Sequence, residues 1–196
     1  MQTRHIPSVD ELAALRRSVL YSVYNTVKKH DPDGKKTGKL LRIDPTHALK
    51  KADPNYRHSL TIVDFYGVCL ATQSTDLVVD LCASFGIAVQ QEGGFPSEER
   101  TIFAYETVKQ QYVYEVSKEL QKVVIDGPYK SKWIASRIGK AYPTLMRQCN
   151  PYDSGTIASL DTACAIMCLC QGFNALELIA KRLNFKIVGY SHELSD

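Results

Sequence analysis

Apolar residues recur at three- and four-residue steps through most of the chain, which is the period of an amphipathic helix. The first such stripe follows Ser8-Val9-Asp10-Glu11, a capping box in which the Ser side chain accepts from a first-turn amide and the Glu side chain reaches back. Its apolar positions are Leu12, Leu15, Val19, Val23 and Val27. We therefore predict a long first helix, ended by the turn residues Asp31-Pro32-Asp33-Gly34.

Three more helices are predicted before residue 92. Asp44-Pro45 and Asp53-Pro54 both have the pattern of an N-cap followed by proline at the first helical position, where the missing N–H costs nothing. The second of these pairs should open a helix that runs to about Leu70. Ser74-Thr75-Asp76 should cap another helix, whose apolar positions face a core.

Gly93-Gly94-Phe95-Pro96 is the strongest break in the chain. Two glycines and a proline within four residues do not fit inside a helix. We place a domain boundary here, which predicts an N-terminal helical subdomain over residues 1–92, a linker over 93–96 and a C-terminal helical subdomain over 97–196.

The second half is also predicted to be helical. Ser97 should cap a long helix that stops at Asp126-Gly127-Pro128, and a basic helix should follow from Tyr129 to about Lys140. A last helical stretch, roughly 156–183, contains Gly172 and is bent or split there. No long segment alternates with a period of two, and residues 185–188 would make only one short strand. The predicted fold class is all-α, with two small helical subdomains joined by a Gly/Pro linker.

Two segments of the chain resemble each other. Leu77–Val89 and Leu176–Val188 both run from an apolar helical pattern into Phe-x-Ile and end in Val. The similarity has two interpretations, duplicated helical subdomains or a chance likeness between two apolar helix ends.

Composition narrows the class of protein. With 44% hydrophobic residues among 196, the chain can bury a core, so disorder throughout is excluded. No apolar run approaches the roughly 18 to 20 residues that a membrane span needs. The first residues reach Asp10 and Glu11 before any apolar core, which does not fit a secretory signal, and six Cys without such a signal indicate free thiols in a reducing compartment.

The net charge of +3 is distributed unevenly along the chain. Residues 1–60 carry 12 basic and 6 acidic side chains, residues 61–128 carry 4 and 10, and residues 129–196 carry 8 and 5. The basic excess is concentrated between Lys28 and Arg57 and between Lys130 and Arg147. Basic ends around an acidic middle can attract polyanions and can pair head to tail with copies of the same chain, although solvated charged faces are the alternative.

No catalytic motif is present. The chain lacks a glycine-rich phosphate loop, a nucleophile elbow and a His-Glu-x-x-His pattern, so we predict that it is not an enzyme and has no small-molecule substrate. A Cys–His hydrolase built from residues such as Cys149 and His192 stays open, because such partners meet only in space.

Cys164-x3-Cys168-x-Cys170 is the one metal-like pattern. A structural zinc site needs about four ligands, usually in two close pairs, and the second pair is missing here. The surrounding residues are apolar all round, so we interpret the stretch as a buried core helix that uses Cys as a small hydrophobic residue. We predict no metal and no cofactor.

The same region carries a family resemblance. From Asn150-Pro151 the chain continues through Leu160, Thr162, Cys164-Ala165 and Cys168, which resembles the stretch in orthomyxovirus (influenza-type) matrix proteins where an Asn-Pro turn leads into a helix with a Leu-x-Thr-x-Cys-Ala-x-x-Cys run. The order of predicted helices around it is similar too. A short, divergent member, such as that of the fish isaviruses, would fit the length.

The chain departs from the family pattern in two respects. The second Cys comes four residues after the first rather than three, and no His pair follows it, so the resemblance implies no zinc site here. The compact basic run that influenza matrix proteins place in their long middle helix is also missing, since the corresponding segment reads SKELQKVV.

The resemblance implies a viral structural protein that oligomerises under the envelope, binds acidic membrane lipid and contacts the ribonucleoprotein during assembly and budding. It implies a location at the inner face of the virion envelope and at the plasma membrane, in the cytoplasm and in the nucleus of the infected cell. The expected membrane-binding residues are Arg16, Arg17, Lys28, Lys29, Lys35, Lys36, Lys39, Arg42, Lys50 and Lys51.

A second basic surface is expected for lipid or RNA. Its residues are Lys130, Lys132, Arg137, Lys140 and Arg147. Tyr129 and Trp133 lie among these cations and suit either partner, unless Trp133 is a core residue. Two other functions remain as alternatives, an RNA-binding nucleocapsid or coat protein and a small helical enzyme or host-directed effector that uses a cysteine.

Overall fold

The computed structural model describes residues 6–56, 60–95, 98–153 and 155–190. Ten helices and two strands lie in these ranges: α1 Val9–His30, α2 Lys35–Leu41, α3 Pro45–Ala52, α4 Ile62–Thr72, α5 Thr75–Ala83, β1 Ile87–Gln91, α6 Glu98–Ile125, α7 Ser131–Arg137, α8 Tyr142–Gln148, α9 Leu160–Cys170, α10 Asn174–Arg182 and β2 Phe185–Tyr190. The helical character predicted from the sequence is confirmed. The fold differs from a purely α protein by the small antiparallel sheet that β1 and β2 form.

Local capping signals place several helix starts correctly. Ser8 and Glu11 form the predicted capping box at the start of α1. The Asp44 side chain caps α3, with Pro45 at the first helical position. Ser74 is the N-cap residue of α5, whereas the predicted cap Ser97 lies outside the described residues.

The helix predicted to start at Asp53-Pro54 is wrong. The Asp53 carboxylate accepts the N–H of Asn55 at 2.9 Å and closes a turn instead. Helix α4 starts at Ile62, where Thr61 and Asp64 form a capping box that the sequence analysis overlooked.

The stretch predicted to be bent or split at Gly172 consists of two helices. α9 ends at Cys170, and its C-cap residue Gln171 has a left-handed φ of 53°. A Cβ atom on Gly172 would lie 2.7 Å from a methyl carbon of Val123, so the turn between α9 and α10 packs against α6 only with glycine at this position.

The same order of helices and strands occurs twice along the chain. Helices α1–α5 and strand β1 are repeated as helices α6–α10 and strand β2. Both ends of α9 lie 98 residues after the ends of α4, and the left-handed residues Gln73 and Gln171 have the same separation. Arg42 and Gly139, also left-handed, are 97 residues apart. Helices α5 and α10 are offset by 99 residues, so the chain contains an internal duplication with an offset of 97 to 99 residues.

The two halves are related by an approximate two-fold axis. Thr61 pairs with Ser159 in an antiparallel bridge and Val89 pairs with Ile187 in the sheet. Each pair joins a residue to its equivalent in the other half or to the neighbour of that equivalent, which is the arrangement expected close to a two-fold axis. The segments Leu77–Val89 and Leu176–Val188 run through α5–β1 and α10–β2, which favours duplication over chance.

Both halves contribute to one hydrophobic core. Helix α1 of the first half packs against α9 of the second, and α4 packs against α6. At the second of these contacts the rings of Tyr66 and Tyr112 lie 4.7 Å apart. The core thus includes residues from both sides of the Gly93–Pro96 break.

Candidate polyanion-binding surfaces

Helix α2 is the centre of a basic surface. Its residues Thr37, Gly38, Leu40 and Leu41 are buried, which turns the lysines on the opposite face outward. We define the first basic surface as the exposed cations of α2 and of the adjoining ends of α1 and α3. These are Lys28, Lys29, Lys35, Lys36, Lys39, Arg42 and Lys50.

A tight corner holds α2 against α3. The buried Asp31 carboxylate accepts the N–H of Lys36 at 3.2 Å and that of Thr37 at 2.7 Å, so it satisfies amides at the start of α2. Gly34 has a φ of 69°, and a Cβ atom there would lie 2.5 Å from the Pro45 carbonyl oxygen. Only glycine fits this corner, which fixes the direction in which the lysines point.

The four Asp residues of this region are engaged locally. Asp31, Asp33, Asp44 and Asp53 each accept at least one backbone N–H. Asp33 also pairs with Lys35 at 2.8 Å, and the hydrogen bond lowers the pKa of Asp33 and raises the pKa of Lys35. Lys28, Lys29, Lys36, Lys39 and Lys50 form no ion pair with any residue that the structure describes.

Three of the expected membrane-binding residues lie apart from this surface. Arg16 donates to Asp161 on α9, with its Nε 2.9 Å from the carboxylate. Lys51 pairs with the capping residue Asp64 at 2.9 Å. Arg17 is exposed but precedes Lys28 by three turns of α1. Arg57, at the end of the basic run, lies outside the described residues.

The five cations of the second basic surface have different environments. Lys130 and Lys132 are exposed, whereas Lys140 is half-buried. The half-buried Arg137 donates to the Pro7 carbonyl oxygen at 3.0 Å. Arg147 is exposed and binds Asp153 at 3.0 Å. Only the two lysines at the start of α7 combine full exposure with the absence of an ion pair among the described residues.

The two basic surfaces occupy equivalent places in the duplicated fold. At an offset of 97 residues, Lys35 corresponds to Lys132 and Lys36 to Trp133, and most buried and exposed positions of 34–56 and 131–153 coincide. Asp53 and Asn150 even make the same turn, each accepting the N–H two residues later. The paired sequences Ala-Asp-Pro-Asn and Cys-Asn-Pro-Tyr carried this signal, which the sequence analysis missed.

Exposed aromatic side chains distinguish the second surface from the first, and one of them, Trp133, takes the place of a lysine. Trp133 is 38% exposed, so the alternative that it is a core residue is wrong. Its ring lies 4.6 Å from that of Tyr129 at an angle of 34°. Tyr142, which the sequence analysis did not select, is also exposed, and Lys132 places its ammonium group 5.8 Å from that ring.

A groove that we call the acidic groove lies between α6, α10 and β2. Glu92, Glu119 and Glu177 line it together with Lys181 and Lys186, and its volume is about 520 Å³. Lys122 pairs with Glu119 at 2.7 Å and Lys186 pairs with Glu92 at 3.7 Å, so much of the negative charge is balanced. Two of the three Glu, Glu92 and Glu119, come from the predicted negative middle of the chain.

The thiols are not set up for nucleophilic chemistry. All six Cys are free, and five of them are buried. Burial raises the pKa of Cys149, Cys82 and Cys170 to about 12 and raises that of Cys164 further, so these side chains stay protonated near neutral pH. His192, the suggested partner of Cys149, lies outside the described residues.

Among the described residues, no three His, Cys, Asp or Glu side chains come together in a way that could hold a metal ion. Cys164 and Cys170 belong to the core, as the sequence analysis predicted. In the same part of the chain, no helix combines the length and the apolar character needed to cross a bilayer.

Cys168 is expected to be the first thiol to react with Ellman's reagent in the native protein. It is the only Cys that is not fully buried, although burial raises its pKa too. At pH 8 without denaturant we expect one slowly reacting thiol per chain, with the remaining five released only on unfolding. Rapid reaction of several thiols, or unchanged native reactivity in Cys168→Ser, would contradict this burial pattern.

The Arg16–Asp161 contact predicts a pH dependence of stability. Burial alone would raise the pKa of Asp161, but hydrogen bonds from Ser159 and Arg16 outweigh it and lower the pKa below its usual value of 3.8. Stability from this group is therefore present above about pH 4 and is lost as the pH falls through the folded-state pKa. Asp161→Asn should lower the free energy of unfolding at pH 7 by on the order of 2 kcal/mol. It should also make this free energy, measured by urea unfolding, fall less steeply as the pH is lowered below about 4. Asp153→Asn, at an exposed ion pair, is the control and should change little.

Comparison with known proteins identifies no relative: no family model, no curated protein and no solved structure matches the chain.

Proposed function

We propose that the chain is a structural matrix-type protein, which oligomerises beneath a viral envelope, binds acidic membrane lipid and bridges to the ribonucleoprotein during assembly and budding. The observation that carries the proposal is the first basic surface. Seven exposed cations lie on three adjoining elements there, and the nearby carboxylates are held by backbone amides. The resemblance around Asn150–Cys168 is the second line of support. On this proposal the protein is located at the inner face of the virion envelope and, in the infected cell, at the plasma membrane, in the cytoplasm and in the nucleus.

The charge of this surface suits reversible membrane binding. Each Lys or Arg near an anionic leaflet contributes about 1 kcal/mol, and not all seven can approach one plane. A single molecule would then bind weakly, whereas an oligomer would bind firmly, because its members share one membrane. Weak monomer binding with strong oligomer binding is the behaviour that a coat needs.

Self-association is proposed to run head to tail. The first basic surface is positive, whereas the acidic groove has three Glu against two Lys and is lined mainly by residues of the second half. Contact between the two surfaces is therefore heterologous and can repeat along a polymer. In the same proposal, residues 1–92 and 97–196 are two helical subdomains and residues 93–96 are their linker. Each subdomain then corresponds to one half of the duplication.

An RNA-binding nucleocapsid or coat protein is the second candidate. The exposed Trp133 and Tyr142 rings beside Lys132 favour it, because stacked aromatic residues among cations suit nucleic acid. An enzyme that uses a cysteine receives no support from the buried, protonated thiols.

Vesicle flotation tests the proposed function. The full chain is mixed with phosphatidylcholine vesicles with and without about one third phosphatidylserine, and an RNA mobility-shift assay is run at the same salt concentration. We expect flotation only with phosphatidylserine, weakening as salt rises. Absence of flotation on acidic vesicles, combined with tight and strongly salt-dependent RNA binding, would replace the matrix proposal by the nucleocapsid alternative.

A further inference from the structure

We propose that the second basic surface binds single-stranded nucleic acid by stacking bases on the rings of Trp133, Tyr129 and Tyr142. This inference deepens the proposed function and rests on it for the presence of a polyanion partner, but it assigns that partner to one surface. Lipid and nucleic acid are then separated between the two halves of the molecule.

The aromatic platform consists of two exposed rings, Trp133 and Tyr142, and of Tyr129, which packs partly against the core. Trp133 and Tyr142 are 38% and 39% exposed, although large aromatic side chains are usually buried where a core can take them. The Tyr129 ring lies 4.6 Å from the Trp133 ring and is tilted by 34° to it. A ring held in this way loses little conformational entropy when a base stacks on it.

Cations lie beside these rings along the chain. Lys130 and Lys132 flank the platform along the chain and are exposed. Lys132 also approaches the face of Tyr142. Between Asp126 and Asp153 the sequence contains no Asp or Glu. Phosphates can therefore contact lysines while the bases contact the rings, which is how proteins hold single strands without reading their sequence.

The neighbours of Trp133 argue against lipid as the partner of this surface. A side chain that anchors a helix in a bilayer acts with other apolar residues on the same face. On α7 the apolar residues Ile134 and Ala135 are buried, whereas the exposed residues around Trp133 are Lys132 and Ser136. The surface offers one aromatic stack among polar groups rather than an apolar face.

The equivalent surface of the first half provides an internal comparison. The position of Trp133 is occupied there by Lys36, and that of Tyr142 by Pro45, at the offset of 97 residues. The first basic surface thus has the same architecture with more cations and without the exposed rings at these positions. It suits a phosphate-rich lipid surface, which offers no bases to stack.

A single tryptophan makes the platform directly observable, because Trp133 is the only Trp in the chain. The full chain is titrated with a twelve-nucleotide oligoadenylate, with inorganic polyphosphate of matched charge and with phosphatidylserine vesicles, while its fluorescence is recorded. We expect quenching by the oligonucleotide alone. Equal quenching by polyphosphate would overturn stacking, and a blue shift on vesicles would assign the surface to lipid.

Trp133→Lys supplies the second test, since it installs the residue of the equivalent first-half position and adds positive charge. Stacking is worth about 1–3 kcal/mol per base, so we expect the affinity for labelled oligoadenylate, measured by anisotropy, to fall about tenfold or more. Tyr142→Ser should lower it in the same direction. Tyr21→Lys, at an aromatic residue 45% exposed on α1, is the matched control and should keep the affinity.

The outcomes separate this inference from the proposed function. Unchanged or tighter oligonucleotide binding by Trp133→Lys, with circular dichroism showing a native fold, would overturn the stacking surface while leaving vesicle flotation as evidence for the matrix proposal. Conversely, loss of affinity in Trp133→Lys but not in Tyr21→Lys supports stacking even if the wild-type protein fails to float.

Discussion

Residues 1–93, produced without the rest of the chain, are expected not to form a stably folded monomer. The first half lacks the partners of its most buried elements. Every residue of α4 is buried in the full chain, and α4 packs against α6 of the other half. Strand β1 would lose its only described partner, β2.

The size of the fragment strengthens this expectation. A chain of fewer than 100 residues is marginally stable even when its core is complete, and here α1 would also lose α9 and Arg16 would lose Asp161. Removing several buried side chains from contact costs about 2 to 5 kcal/mol for each large one. The summed cost of these lost contacts exceeds the free energy of unfolding of an ordinary domain.

Circular dichroism, thermal unfolding and size-exclusion chromatography check this prediction. We expect the fragment to lack a cooperative transition or to occur as a dimer in which a second copy replaces the missing half. Co-expression with residues 94–196 is the positive control and should restore a soluble one-to-one complex. A monomeric fragment with a cooperative transition would mean that the subdomains fold independently.

Replacing Lys35, Lys36, Lys39 and Arg42 by Glu is expected to abolish flotation on phosphatidylserine vesicles. The change removes four positive charges from the first basic surface and adds four negative ones. Each cation near an anionic leaflet contributes about 1 kcal/mol of binding free energy. The binding free energy lost with four cations is therefore larger than that of a weakly bound monomer. The fold should survive, because all four side chains are exposed and Glu near the start of α2 suits the helix dipole.

A variant with the same change in net charge is the control. Glu replaces Lys118, Lys122, Lys181 and Lys186, which are exposed and belong to the second half. We expect this control to keep most of its flotation at physiological salt, because screening limits the effect of distant charges. Equal loss in both variants would show that only net charge matters. Retained flotation in the first variant would move membrane binding to the second basic surface.

The helices could be predicted from sequence because their signals are local. Ser8 with Glu11 and Asp44 with Pro45 specify helix starts within a few residues. The sheet could not be predicted, since the β1–β2 pairing joins residues almost one hundred positions apart and each strand is too short to be recognised alone. The duplication was visible only as the likeness between Leu77–Val89 and Leu176–Val188, because the halves share element order and turn geometry far more than residue identity.

The amino-acid composition indicated where the candidate site lies in the chain, but the sequence did not reveal the geometry of the site. The run of cations from Lys28 to Lys50 is visible in the sequence, and the structure adds which of them are exposed. Nothing local indicates that Arg16 binds Asp161, which is 145 positions away. The exposure of Trp133 depends on how α7 packs on α6 and α8, and burial of this kind follows from tertiary contacts rather than from helical period.

The approximate two-fold relation between the halves has a consequence for divergence. In a homodimer one gene encodes both subunits, so every substitution appears on both equivalent surfaces at once. A chain that contains both halves is free of this constraint, and each copy of a surface can change alone. The lysine at position 36 and the tryptophan at position 133 illustrate this freedom, for one scaffold now presents two different chemistries in a single molecule.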